Sequence, residues 1–168
     1  MKIKKNICLI GMPGCGKSTI GKLLAEKLNM NHIDGDAIME QVEGMKLQEI
    51  INTKGNDYVK NLEGKVLSEL DVDGYIISPG GSCIYYPDGM DNLKKIATVI
   101  YLEVDYPALE KRCTNMYGRG IVFDPGETFH DLYLRRTPLY EKYADITFNT
   151  SKYEKFQTVE KILKALQE

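Results

Sequence analysis

A chain of 168 residues with 43% apolar and 27% charged side chains is the size of one ordinary domain and carries enough apolar matter for a real core. A net charge of −2 and a pI near 5.8 exclude a broad electrostatic footprint for nucleic acid or an anionic membrane, so any phosphate recognition must be local. Lysines lie within 1–6, but the apolar stretch behind them ends at Ile10, too short for a signal peptide or a span; a cytoplasmic protein with neither membrane nor nucleic-acid partner is expected.

In chain order, the apolar run Ile7-Cys8-Leu9-Ile10 leads into Gly11-Met12-Pro13-Gly14-Cys15-Gly16-Lys17-Ser18 and then into a helical pattern over 19–28. Strand, loop and helix follow in the order a phosphate cradle requires, and the loop reads G-x-x-x-x-G-K-S. Glycines let the backbone close round a phosphate with its N–H groups inward, and the helix start adds a positive dipole. Lys17 reaches the β and γ oxygens, and Ser18 offers a hydroxyl to Mg²⁺. Cys15 is read as a small spacer in this loop or as a thiol made reactive by an anion-binding setting. Cys8, Cys15, Cys83 and Cys113 lack C-x-x-C spacing, and His32 and His130 stand apart from them, so reduced thiols are expected rather than a zinc site or disulfide framework.

Ile20, Leu23, Leu24 and Leu28 share one helix face, and 30–33 reads as a short strand ending at Asp34-Gly35-Asp36. Helices follow, broken at Gly44 and 53–56, with a longer one over 57–70 that turns Tyr58, Leu62, Val66, Leu67 and Leu70 inward. The compact apolar run 75–78, bounded by Asp73-Gly74 and Pro79-Gly80-Gly81, suits a buried parallel strand with a functional loop at its end. Beyond it come a helix over 90–97, a strand over 98–102, a helix over 107–113 and a Gly-rich, aperiodic flap over 115–128. A helix over 131–143 interrupted at Pro138, a strand over 145–149 and a helix over 153–167 close the chain, the last with Phe156, Val159, Ile162, Leu163 and Leu166 on its apolar side. Alternating strands and helices imply a parallel sheet covered on both faces.

Ligands of such sheets bind beyond the C-terminal strand ends. There the sequence offers the P-loop, Asp34 and Asp36, Gly80 and Gly81, and, on a later helix, Arg135 and Arg136. Two readings of the carboxylates stand: Mg²⁺ ligand and hydroxyl-orienting base, or, more blandly, a turn residue at Asp34 and a helix cap at Asp36. Tyr133, Tyr140 and Tyr143 could border this region, but at near-helical spacing they read as core residues instead.

The strings GMPGCGKSTIGKLLAEKL, HIDGDAIME, GNDYVKNLE, SPGGS and RRTPLYEKYAD, with an arginine-bearing flap before the last, occur in the order and near the spacing of shikimate kinases. Over nearly its whole length the chain resembles that family. The resemblance implies an α/β P-loop kinase, a three-layer sandwich with a five-stranded parallel sheet of order 2-3-1-4-5, forming one domain with a lid at about 113–128. It implies a monomer that phosphorylates a small hydroxy-acid, shikimate first, with ATP and Mg²⁺. By position, Gly11, Gly14, Cys15, Gly16, Lys17, Ser18 and Thr19 match the nucleotide cradle, Lys17 also being catalytic. Asp36 matches the aspartate on the substrate hydroxyl, Asp34 with Ser18 the Mg²⁺ side, and Arg136 the arginine that grips the substrate carboxylate. Gly80 and Gly81 match the end of a triple-glycine substrate turn, Arg112 the adenine-stacking arginine, and Arg119, flanked by Gly118 and Gly120, the catalytic lid arginine.

Three departures stand out. Lys60 occupies the place of a substrate-binding arginine, keeping the charge but not the planar fork. Pro79 replaces the first glycine of the triple turn, removing an N–H donor. The flap reads Arg119-Gly120-Ile121-Val122 where the family has R-P-L-L, and 124–128 is unusual for it. A relative with a gluconate-like acceptor, or a silent nucleotide-binding module, therefore remains open, though retention of Lys17, Asp36 and Arg136 argues against silence. A GTPase-type switch would need an N-K-x-D motif, which is absent, and Asp71-Val72-Asp73-Gly74 precedes its strand rather than following it.

Overall fold

The computed structural model describes residues 4–113, 121 and 123–167. Strand β1 (Asn6–Ile10) is buried at every residue. It lies between β3 (Tyr75–Ser78) and β4 (Ala97–Glu103), with β2 (Asn31–Asp34) and β5 (Ile146–Asn149) at the edges, so the parallel sheet has the order β2-β3-β1-β4-β5. A strand buried along its whole length needs cover on both faces, which is why the alternating helices sandwich the sheet. The expected fold class and strand order are those observed. Asn6 is buried at the foot of β1 with its amide satisfied: Nδ2 donates to Val72 O (2.7 Å) and Ile96 O (3.1 Å), and Oδ1 accepts from Tyr75 N (2.9 Å).

The helices are α1 (Lys17–Leu28), α2 (Gly35–Glu43), α3 (Leu47–Lys54), α4 (Asn56–Glu69), α5 (Pro87–Ile96), α6 (Tyr106–Arg112), α7 (Phe129–Tyr143) and α8 (Lys155–Gln167). Local chemistry explains their ends. Asn29 terminates α1 in the left-handed conformation, which a short polar side chain tolerates, and Met30 N then donates to Ala25 O at 2.9 Å. Pro87 opens α5 three residues earlier than the apolar spacing indicates, since a helix's first turn does not miss its N–H. Thr128 and Asp131 form a reciprocal capping box that starts α7 at Phe129, and the helix runs through Pro138 without the expected interruption. Leu134, whose carbonyl Pro138 cannot serve, is exposed, so water can take that bond.

Two cores result. The larger one joins the sheet to α1, α5, α7 and α8, while a separate cluster of Ile38, Met39, Ile50, Leu62 and Val66 ties α2, α3 and α4 together. Some expected inward residues are instead outside: Leu28, Tyr58 and Phe156 are exposed, the last at 60%. Tyr58 is held on the surface by its hydroxyl, which donates to Glu43 Oε1 at 2.7 Å. No described helix is long and apolar enough to cross a membrane. The expected lid includes 114–120 and 122, which lie outside the described residues, and with them Arg119, Gly118 and Gly120.

Candidate active site

The loop after β1 is shaped by three glycines with positive φ: Gly11 (150°), Gly14 (83°) and Gly16 (100°). Space constrains them as much as torsion. A Cβ on Gly11 would lie 2.8 Å from both Cys15 Sγ and Leu102 O, and one on Gly14 only 2.1 Å from Cys113 Sγ. Cys15 is buried as a packing residue here, and Cys8, Cys15 and Cys83 are buried thiols outside any disulfide. Gly16 caps α1, leaving the N–H groups of that helix start uncommitted beside exposed Ser18 and Thr19. Lys17 Nζ donates to Gly11 O (2.8 Å) and Met12 O (3.1 Å), so its ammonium is held over the loop by neutral carbonyls rather than by a carboxylate. From below, Ser78 Oγ donates to Lys17 O (3.3 Å) and pairs with His32 Nε2 (3.1 Å). Burial, opposed by Asp34 and assisted by Lys22, keeps the His32 ring below its ordinary pKa and hence neutral.

Asp34 and Asp36 stand at the β2 end, and their roles at the helix start are the reverse of the bland reading. Asp34 is the N-cap, its Oδ1 accepting from Ala37 N at 2.9 Å, which leaves Oδ2 for another partner; Asp36 lies in the first turn of α2 and caps nothing. The Asp36 carboxyl is partly desolvated, although the residue's surface is open. That desolvation, followed by the charges of Asp34 and Glu40, pushes it above the usual carboxylate range.

The turn Pro79-Gly80-Gly81 after β3 joins the parts. A Cβ on Gly35, between the two aspartates, would lie 3.1 Å from Gly80 N; one on Gly81 would lie 3.1 Å from both Pro13 Cδ of the P-loop and Arg136 Nη1 of α7. One glycine turn thus touches the nucleotide loop, the aspartate segment and α7. Tyr140, stacked on Tyr101 with centroids 5.2 Å apart, donates its hydroxyl to Gly81 O at 2.7 Å, so it is both a core residue and a support of this turn. Arg136 is 4% exposed, hydrogen-bonds Tyr140, and has a buried Nε with no hydrogen-bond partner among the described residues. A buried guanidinium with an uncommitted N–H is suited to an anion brought from outside.

Glu63 is a site residue that sequence reading missed. This α4 carboxylate is nearly buried, accepts from Ser82 Oγ (3.1 Å) and Tyr86, and lies in the field of both Asp36 and Arg136. Burial raises its pKa, with the two hydrogen bonds pulling the other way. Lys60 sits on the same helix three residues earlier, exposed, on the side one turn from Glu63. Arg112 ends α6 with Nη2 donating to Thr150 O at 3.0 Å, which fixes its guanidinium beside the segment after β5. A groove of about 500 Å³ between α2 and α4, lined by Ile38, Val42, Leu62 and Val66 and by the charged Glu43, Lys65, Glu69 and Asp71, contains none of these groups.

Among the described residues no three His, Cys, Asp or Glu side chains converge on a metal position. Mg²⁺ is ordinarily held by one or two protein oxygens plus substrate phosphates rather than by a protein cage.

The shikimate kinase family model matches residues 13–167. A shikimate kinase of Sulfurihydrogenibium sp. is 38% identical over 95% of this chain and 96% of its own length. The shikimate kinase of Acinetobacter baumannii, solved in complex with shikimate, superposes with a TM-score of 0.84 at 29% identity, covering 98% of this chain and 93% of that one. The Aquifex aeolicus shikimate kinase gives 0.79 at 29%, covering 96% of each. P-loop, aspartate segment, glycine turn and buried arginine thus occur in a chain that belongs to the shikimate kinase family, whose members are ATP-dependent phosphotransferases acting on an alcohol group.

Proposed function

We propose that this chain transfers the γ-phosphoryl group of ATP to a hydroxyl of shikimate, with the site residues in the following roles. The observation that carries the reading is the Pro79-Gly80-Gly81 turn, in contact at once with the P-loop, the aspartate segment and Arg136. The loop N–H groups of 11–16 and the helix start at Ser18 and Thr19 bind the phosphates, and Arg112 faces the adenine. Lys17, whose ammonium donates to the Gly11 and Met12 carbonyls, exchanges them for β and γ oxygens. Arg136 takes the acceptor carboxylate with its uncommitted Nε, Lys60 adds positive charge from α4, and the Gly80 and Gly81 backbone lies against the acceptor ring.

Asp36 accepts the proton of the attacking hydroxyl. Desolvation and the charges of Asp34 and Glu40 raise its pKa, which makes it a better base. The new bond is hydroxyl oxygen to Pγ; the bond that breaks is Pγ to the bridging oxygen, which leaves with ADP. Mg²⁺, when bound, supplies charge neutralisation on the phosphates, and the Ser18 hydroxyl and free Asp34 oxygen are the groups that would hold it. Arg119, outside the described residues, is assigned the lid role on resemblance alone. The protein acts as a cytoplasmic monomer in this reading.

Phosphorus NMR of the protein with MgATP and shikimate tests it. A phosphomonoester signal should grow as the γ signal disappears and should require Mg²⁺. ATP consumption that yields only inorganic phosphate would contradict the reading.

A further inference from the structure

Beyond Gly81 the chain makes a single turn of 3-10 helix, Cys83–Tyr85, pinned by Tyr85 N donating to Ser82 O (3.0 Å) and Tyr86 N to Cys83 O (3.1 Å). Its two tyrosines part company. Tyr86 packs on α4, where a Cβ on Gly64 would lie 2.9 Å from its ring, and it donates to buried Glu63. Tyr85 goes to α7 instead, 37% exposed, with Arg135 Cζ 5.3 Å and Arg136 Cζ 5.4 Å from its ring centroid.

Those neighbouring arginines are not equivalent. Arg135 is spent: Nε and Nη2 form a two-pronged contact with Glu127 (2.8 and 2.9 Å), and Asp124 lies 3.5 Å away. Arg136 forms no ion pair with a described residue and keeps a buried Nε uncommitted. A guanidinium held by a carboxylate would have its in-plane donors consumed, as Arg135 does. One held by a ring face is attracted through its plane and keeps those donors free.

We propose that Tyr85 is a positioning residue for the acceptor: its ring face holds the Arg136 guanidinium so that the in-plane N–H groups stay available to the acceptor carboxylate, while Glu127 withdraws Arg135 from competing for it. The proposal deepens the acceptor side of the preceding reading and rests on it for the identity of the anion. Exposure of Tyr85 follows from the same geometry, because a side chain that holds a binding group from the pocket mouth cannot be sealed in the core.

Three substitutions separate the ring's π face from its bulk and its hydroxyl: Tyr85→Phe, Tyr85→Leu and Tyr85→Ala. With saturating MgATP, the Leu and Ala variants should raise the KM for shikimate about 3- to 30-fold, the range for a ring–cation contact that is partly desolvated. Tyr85→Phe should match the parent, and kcat and the KM for ATP should stay within about twofold in all three. The Arg136 Nε–H resonance in ¹⁵N-labelled protein with ADP provides a second readout: it should move in the Leu variant and hold in the Phe variant. A normal shikimate KM and an unmoved resonance in Tyr85→Leu would overturn the proposal, as would an equal defect in Tyr85→Phe, which would assign the effect to the hydroxyl. If the parent protein fails to use shikimate while the resonance still depends on the ring, the acceptor identity falls and the role of Tyr85 in placing Arg136 stands.

Discussion

The nucleotide side and the acceptor side of this site are built by opposite means. The phosphate-binding part of the nucleotide side is, in the proposed assignment, one continuous stretch, 11–19, whose conformation is dictated locally by three positive-φ glycines and a helix start. The acceptor side is assembled from the start of α2, the middle of α4, the turn after β3 and the face of α7, and part of it stands on its own small core rather than on the sheet. A contiguous motif tolerates divergence elsewhere, because its geometry travels with its sequence. A pocket made from four segments can change partner by a substitution in any of them, and the departures at Lys60 and Pro79 both fall on that side.

The largest test of this contrast is Lys17→Ala, expected to lower kcat about 10³-fold while the thermal midpoint stays near that of the parent, because the ammonium contacts only neutral groups of its own loop, two carbonyls and the Cys15 thiol. Near-normal turnover would remove the P-loop mechanism. Asp36→Asn should cost about 10²-fold in kcat or more. Its stability effect should have the opposite sign. The folded-state pKa of Asp36 is raised, so its contribution to stability is present below the ordinary carboxylate range and lost as pH rises through the folded value. The Asn variant should therefore melt higher than the parent at neutral pH. The acid limb of kcat/KM in the parent should lie above the usual aspartate range for the same reason, and a limb at or below that range would argue against Asp36 as base.

A matched glycine pair sharpens the comparison further. Gly14→Ala meets Cys113 Sγ at 2.1 Å in a left-handed backbone, which costs about 1–2 kcal/mol from the torsion alone, and should raise the KM for ATP while leaving that for shikimate. Gly81→Ala has no torsional penalty but crowds Arg136 Nη1 and Pro13 Cδ at 3.1 Å, and should act mainly on the KM for shikimate. Equal effects of both on both substrates would mean that the two sides are not separable. The smallest expected effect is Lys60→Arg, which restores a planar fork and should lower the shikimate KM by about threefold; an unchanged or raised KM would count against shikimate or against the placement of Lys60.

What could be read in advance follows the same division. The strand order, a long-range property, follows only from the resemblance to shikimate kinases, whereas the P-loop and the aspartate segment depend on short-range pattern and are visible in the chain. Which aspartate caps α2 was not, since both residues suit the position and only backbone torsion at Asp34 decides. Glu63 is invisible because a glutamate inside a mixed helix reads as surface; it is buried only by the approach of the turn carrying Ser82 and Tyr86. Tyr140 was legible as core but not as the donor to Gly81 O, a contact across 59 positions. The capping box at Thr128 and Asp131 did have a local signal, a hydroxyl three residues before an acid, and would have placed the start of α7 correctly.

The acceptor is the central claim, and ADP release from MgATP, measured with shikimate and in parallel with a panel of other hydroxy-acids and sugar acids, tests it most directly. Saturable stimulation by shikimate and none by gluconate is the expected result, and it would make Lys60 and Pro79 tolerated variations on one site. Stimulation by another acid with none by shikimate would contradict the assignment and turn those residues into the determinants of a different specificity.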